Sequence, residues 1–161
     1  MVYNSRFTLL NEREILKINL FCIKQVKKLN NQNIIICAEP YHCSTEQTVK
    51  YVNYFKKNGA DIVSLIFGEK YYSDDQLYGH FKKVHDKTNC FLLLHQQILE
   101  NGISSDPPFV YYSLEVLRKI SKLNKFLAMK EDAKNETYTR RICEEISNQM
   151  IIITSGGGKK Q

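Results

Sequence analysis

The chain has 161 residues, of which 43% are hydrophobic, 11% aromatic and 25% charged, and its formal net charge is +6. This length and composition predict one domain with a sizeable core. No run approaches the roughly 18 apolar residues of a membrane span. The N-terminal residues also lack the apolar segment of a signal peptide. A cytoplasmic protein that makes no membrane contact is therefore expected.

The positive charge is spread along the chain and is accompanied by acids. Its local runs are short lysine pairs, such as Lys27–Lys28 and Lys82–Lys83. Solvated helix faces explain such pairs better than nucleic-acid binding does. No nucleic-acid partner is predicted.

The cysteines predict neither a disulfide framework nor a metal centre. There are five, an odd number, and none form a C-x-x-C pair. Cys37, His42 and Cys43 could be interpreted as metal ligands, but no second spaced pair accompanies them. Reduced thiols and no metal are the prediction.

The apolar pattern predicts helices that alternate with strands from one end of the chain to the other. Asn11 is a helix N-cap, and an amphipathic helix follows to about residue 29, with an inner face of Ile15, Ile18, Cys22, Val26 and Leu29. The later helices begin at the caps Ser44, Ser73 and Ser113 and at about residue 135. The apolar runs that predict strands are 34–38, 61–67, 90–94, 126–129 and 151–154.

This alternation predicts an α/β protein with a parallel sheet built from right-handed βαβ units. An open doubly wound sheet and a (β/α)8 barrel both fit, although a complete barrel needs roughly 250 residues. In either architecture the chemistry lies where the strands end. Those ends present 39–43, 68–72, His95, Lys130 and 155–158.

Nucleotide-binding motifs are missing. No G-x-G-x-x-G follows the first strand, and SGGGKKQ at 155–161 lacks the P-loop spacing, so no cofactor is predicted. That glycine-rich turn could approach a substrate phosphate or carboxylate through backbone N–H groups, or it could be an ordinary turn. His95 and Ser155 do not belong to a G-x-S-x-G elbow, so a hydrolase is not indicated.

Lys130 follows the apolar run 126–129 and precedes two acids, Glu131 and Asp132. A lysine at the end of a buried strand is a candidate Schiff-base nucleophile, because burial favours the neutral amine. The alternative is an ordinary solvated lysine in a loop.

Three blocks resemble the dihydrodipicolinate synthase and N-acetylneuraminate lyase family of class I aldolases. They are GADIVSLIFGEKYYSDDQLYGHFKKV at 59–84, FLAMKEDAKNETYT at 126–139 and IIITSGGGKKQ at 151–161. The resemblance implies a (β/α)8 TIM barrel, here a single partial domain over 1–161 that lacks the first and last βα units. It also implies a homo-oligomer, either a dimer or a tetramer.

The same resemblance implies a mechanism and a set of site residues. Lys130 would form an imine with pyruvate or a related 2-oxo acid, and the imine would act as an electron sink for a lyase or aldolase reaction. His95 stands where the family has a proton-relay tyrosine, and Tyr72 matches the tyrosine that reaches a neighbouring subunit. Ser155, Gly156 and Gly157 would form a substrate-binding turn.

The sequence departs from the family pattern at three places. The carboxylate-binding Gly-Thr-Thr-Gly-Glu turn expected before Phe7 is replaced by MVYNSR, the relay tyrosine by His95, and a glycine-containing turn by EPY at 39–41. The expectation is a partial or decayed copy of a larger enzyme. The alternatives are a non-catalytic α/β remnant that acts as a binding or interaction module, and phosphate or nucleotide binding by SGGGKK.

Overall fold

The structure is a computed structural model that describes residues 10–29, 34–38, 43–66, 73–97, 112–133 and 135–154. Helices and strands alternate throughout these ranges, as the sequence predicted. The elements are α1 Glu12–Leu29, β1 Ile36–Ala38, α2 Thr45–Asn58, β2 Ile62–Ile66, α3 Asp74–Lys87, β3 Phe91–Gln97, α4 Leu114–Ser121, β4 Phe126–Asp132, α5 Glu136–Ile146 and β5 Ile151–Thr154.

The five strands form one parallel sheet in which each strand lies next to its predecessor, in the order β1-β2-β3-β4-β5. Successive helices contact one another from α1 to α5, so they form one layer on one side of the sheet. A doubly wound sheet would instead reverse its strand order at a switch point. The unbroken order is that of a (β/α) barrel, and the described residues form a part of one.

The hydrophobic core lies between the sheet and the helix layer. Val63, Leu65, Leu92, Leu94 and Met129 extend from the strands into this layer and are fully buried. Helix side chains complete it, including Phe55 of α2, Phe81 of α3, Leu117 of α4 and Ile142 of α5. Burial of these side chains, at about 25 cal/mol per Å² of apolar surface, is the main stabilising contribution.

The opposite face of the sheet, which we call the inner face, is partly open. Strand residues alternate between the two faces, so Ile36, Phe91, Ile151 and Ile153 lie on the inner face, and all four are exposed. In a closed barrel the inner face is packed with side chains from all the strands. These four exposed apolar side chains therefore face the space that a closed barrel would enclose with its other strands.

The helix starts confirm the predicted caps. The side chain of Ser44 accepts a hydrogen bond from the backbone N–H of Gln47, whose side chain caps the Ser44 N–H in return. Ser73 and Ser113 cap α3 and α4 in the same way, through their hydroxyl groups. Each such cap is worth about 1 kcal/mol.

The predicted inner face of α1 was wrong beyond its first turn. The helix buries Ile15, Asn19 and Ile23, whereas Ile18, Cys22 and Leu29 are exposed. The reason is a buried amide: the Nδ2 atom of Asn19 donates to the carbonyl of Ala38 on β1, at 3.4 Å. A hydrophobicity pattern cannot identify such a polar contact as the buried face.

Within the described residues, no helix is both long enough and apolar enough to cross a membrane.

Candidate active site

Lys130 and His95 lie inside their strands rather than after them. The sequence predicted that the strands end at 129 and 94, but β4 runs to Asp132 and β3 to Gln97. The sequence prediction ended each strand at its last apolar residue, because the polar residues that follow are typical of a loop. Register pairs Lys130 with His95 on one side and with Ile153 on the other. The two predicted site residues are therefore neighbours near the carboxyl end of the sheet.

The amine of Lys130 contacts the ring of His95 directly. Lys130 Nζ lies 3.0 Å from His95 Nε2. An ammonium nitrogen can only donate, so when Lys130 is protonated Nε2 is the acceptor and the ring proton is on Nδ1. The Lys130 side chain keeps about a third of its surface exposed, which leaves its amine accessible to a small molecule.

His95 is buried and neutral. Burial is the larger cause, and together with the positive charge of Lys130 it lowers the pKa of His95 from 6.5 to about 4, against a smaller opposing effect of Asp132. At neutral pH the imidazole therefore adds no positive charge beside Lys130. It provides a lone pair on Nε2 and a proton on the other ring nitrogen, which suits a group that passes protons.

A third polar side chain completes this cluster. Asp132 follows Lys130 by two residues and so lies on the same face of β4. Its Oδ2 atom is 3.7 Å from Lys130 Nζ, and 23% of the side chain is exposed. Lys130, His95 and Asp132 together form what we call the inner-face triad.

Glu131 lies on the helix-facing side of the sheet, where its carboxylate accepts a hydrogen bond from the backbone. It is 2% exposed, and its carboxylate accepts hydrogen bonds from the Ala133 N–H at 2.5 Å and from the Thr139 hydroxyl at 2.8 Å. These bonds tie the end of β4 to α5. The two acids after Lys130 thus differ: Asp132 belongs to the inner-face triad, whereas Glu131 fixes the end of the strand that carries the triad.

A buried polar network supports β3 from the helix side. Gln96 Nε2 donates to the Tyr138 hydroxyl at 2.9 Å, and that hydroxyl donates to the Tyr112 carbonyl at 2.5 Å. The network joins the residue after His95 to α5 and to the residue before the Ser113 cap. Such satisfied buried networks fix the position of the elements they connect.

Four other predicted site residues, Tyr72, Ser155, Gly156 and Gly157, lie outside the described residues, as do residues 98–111 and EPY at 39–41. In the portion of the chain that the structure describes, no cluster of three histidine, cysteine or acidic side chains could hold a metal ion.

Sequence reasoning noted Asp132 but gave it no role. The strand period of two would have placed it beside Lys130, had the strand been extended past residue 129. The network of Gln96, Tyr138 and Tyr112 had no comparable signal, because hydrogen bonds between distant side chains leave no trace in the periodicity of a sequence.

Fold and site together define a class: a (β/α) barrel protein with a lysine near the carboxyl end of an inner strand, where barrel enzymes carry their chemistry. The comparisons with known proteins narrow this class.

No protein-family model matches the chain. A 4-hydroxy-tetrahydrodipicolinate synthase from Clostridium perfringens is 26% identical over 155 residues, which is 94% of this chain and 47% of that protein. The crystal structure of dihydrodipicolinate synthase from Aquifex aeolicus superposes with a TM-score of 0.73 at 18% identity, covering 96% of this chain and 50% of that one. N-acetylneuraminate lyase from Fusobacterium nucleatum, complexed with pyruvate, gives 0.71 at 13% identity, covering 91% and 46%.

These comparisons support the dihydrodipicolinate synthase and N-acetylneuraminate lyase family, and the resemblance predicted from the sequence blocks is confirmed. The chain spans about half the length of the curated relatives that it matches.

Proposed function

We propose that this chain contains the Schiff-base lysine of a lyase or aldolase that acts on pyruvate or a related 2-oxo acid. The observation that carries the proposal is the accessible amine of Lys130, 3.0 Å from the neutral ring of His95. Lys130 would attack the keto carbon, and the resulting imine would withdraw electrons from the neighbouring carbon. His95 would pass protons to and from the reacting atoms.

The relatives support this proposal. The curated matches are synthases of one name, and the Fusobacterium lyase structure was obtained with pyruvate. Tyr72 would extend the proton relay, and the turn of Ser155, Gly156 and Gly157 would bind substrate. The whole protein would be a cytoplasmic homo-oligomer, a dimer or a tetramer.

The test is reductive trapping. The chain is incubated with pyruvate and sodium borohydride, and the intact mass is measured for wild type, Lys130→Arg and Lys122→Arg. Lys122 is an exposed lysine at the end of α4 and serves as the matched control. We expect one reduced pyruvate on wild type and on Lys122→Arg, and none on Lys130→Arg. Equal labelling of all three proteins would refute the proposal.

One observation favours a second candidate, a non-catalytic interaction module. The exposed inner-face row of Ile36, Phe91, Ile151 and Ile153 is an apolar surface of the kind that marks association sites. This candidate predicts that Lys130→Ala leaves folding and association unchanged, and that pyruvate causes no shift in melting temperature. A pyruvate-dependent shift in wild type that is lost in Lys130→Ala would exclude it.

A further inference from the structure

The two acids that follow Lys130 differ in what they face, and the difference points to a role for Asp132. Glu131 is engaged by a backbone N–H and by Thr139 on the helix side of the sheet. Asp132 lies on the inner face, beside the amine that the proposed function uses. Of the two neighbouring carboxylates, it is therefore Asp132 that a carbonyl compound bound at Lys130 would encounter.

The distance between Asp132 and Lys130 shows how they interact. At 3.7 Å the carboxylate oxygen and the amine attract each other as charges, but the separation is too long for a hydrogen bond. His95 Nε2, at 3.0 Å, takes the direct hydrogen bond. Asp132 thus supplies a negative charge beside Lys130, whereas His95 accepts the hydrogen bond from Lys130.

The charged groups on the inner face also indicate that Asp132 supplies the charge and His95 the hydrogen-bond acceptor. Among the described side chains, those of the triad are the titratable groups on the inner face near Lys130: His95 on β3, and Lys130 and Asp132 on β4. The neighbouring position on β5 is the apolar Ile153, and β2 ends in the apolar Ile66. With His95 neutral, Asp132 is, among these described side chains, the negative charge beside Lys130.

Condensation of Lys130 with a carbonyl changes the donors but keeps the charge. An ammonium group has three N–H donors, whereas a protonated imine has one. That single N–H suffices for the short contact to His95. The positive charge remains on the nitrogen and still needs a partner, which Asp132 supplies without a hydrogen bond.

We propose that Asp132 is a further catalytic residue, acting as the counter-charge of the protonated imine on Lys130 and of the His95 ring while that ring carries the proton. This inference rests on the proposed function. His95 Nε2 takes one proton from the Lys130 ammonium group through their hydrogen bond, the Asp132 carboxylate stabilises the imidazolium that forms, and the free amine adds to the carbonyl carbon. A proton then moves from nitrogen to oxygen, which gives a neutral carbinolamine. His95 returns its proton to the hydroxyl group, the carbon–oxygen bond breaks, water leaves and the protonated imine remains beside the Asp132 carboxylate.

The experiment compares rates of trapping with pyruvate and sodium cyanoborohydride, which survives at low pH, for wild type, Asp132→Asn and the matched control Glu136→Gln from pH 5 to 9. Glu136 is an exposed acid on α5, paired with Arg140, so its variant removes the same charge from another place. An opposite charge nearby shifts a pKa by about 1–3 units, and each unit changes a proton-transfer equilibrium tenfold, so we expect Asp132→Asn to trap at least about tenfold more slowly at pH 7. Glu136→Gln should match wild type.

A rescue experiment separates this role from a structural one. Asp132→Ala leaves space for a small carboxylate, so added sodium formate should restore its trapping rate, whereas sodium chloride at equal ionic strength should not. If wild type traps on Lys130 and Asp132→Asn traps at the same rate at every pH, the inference about Asp132 is wrong and the proposed function stands. A wild-type protein without adduct would instead overturn the proposed function. A folded Asp132→Ala that formate does not rescue would also overturn the role of Asp132.

Discussion

Acid should destabilise this protein through His95, and the size of the effect follows from its burial. His95 is 6% exposed, and its pKa is lowered from 6.5 to about 4. Between these two values the unfolded chain binds a proton that the folded chain does not, so the free energy of unfolding falls as the pH falls. At about 1.4 kcal/mol for each pH unit, the interval corresponds to a loss of about 3 kcal/mol. The loss begins below pH 6.5 and is complete near pH 4.

Replacing His95 by glutamine removes this titration while keeping a polar side chain. We expect the free energy of unfolding of His95→Gln to fall less than that of wild type between pH 7 and pH 4, by about 3 kcal/mol. Urea titrations of both proteins at several pH values measure the difference, and contributions that the two proteins share cancel. Parallel curves would show that the folded and unfolded chains protonate His95 alike, which would refute the lowering of its pKa by burial and by Lys130.

His80 provides a matched comparison. It is also 6% exposed with its pKa lowered to about 4 by burial, but its Nδ1 lies 2.9 Å from the Thr45 hydroxyl, between α3 and α2. His80→Gln should therefore change the acid dependence of stability as His95→Gln does, whereas only His95→Gln should alter trapping at Lys130.

Three further predictions concern the fold. Phe81 is fully buried and its ring meets Phe126 edge-on at 5.7 Å, so Phe81→Ala should lower the free energy of unfolding by about 3–5 kcal/mol in urea titrations, and Phe81→Leu by less. Gly59 ends α2 at φ +104°, a left-handed conformation, and a Cβ atom there would also meet the Lys27 side chain. Gly59→Ala should therefore lower the free energy of unfolding by about 1–2 kcal/mol. An unchanged midpoint of urea unfolding would contradict the left-handed cap. Phe91 is half-exposed on the inner face, so Phe91→Ser should reduce binding of a hydrophobic dye and self-association in light scattering, with stability changed by no more than about 1 kcal/mol. A large loss of stability would mean that the inner face is covered.

Periodicity was sufficient to predict most of the fold. In α3, Leu77, Phe81 and Val84 recur at helical spacing and are all buried, because the helix has an apolar side that faces the core and a polar side that faces water. The predicted inner face of α1 was wrong because the polar residue Asn19 lies on the buried face and donates a hydrogen bond there, and composition does not reveal hydrogen bonds.

The site was harder to predict because its chemistry interrupts the pattern. Lys130 and Asp132 are polar residues on a strand, so the apolar run appeared to end before them, although β4 continues to Asp132. Functional positions commonly break local rules in this way. The contact between Lys130 and His95 depends on strand register, which brings together residues 35 positions apart in the chain.

The proposed function requires Lys130 to be the amine that condenses with a 2-oxo acid. Its most direct test is to digest the wild-type chain after trapping with pyruvate and borohydride, and to locate the adduct by peptide mass spectrometry across all of its lysines. We expect modification in the peptide that contains Lys130, saturating with pyruvate concentration, while exposed lysines such as Lys122 remain unmodified. An adduct spread over the surface lysines, with Lys130 unmodified, would contradict it.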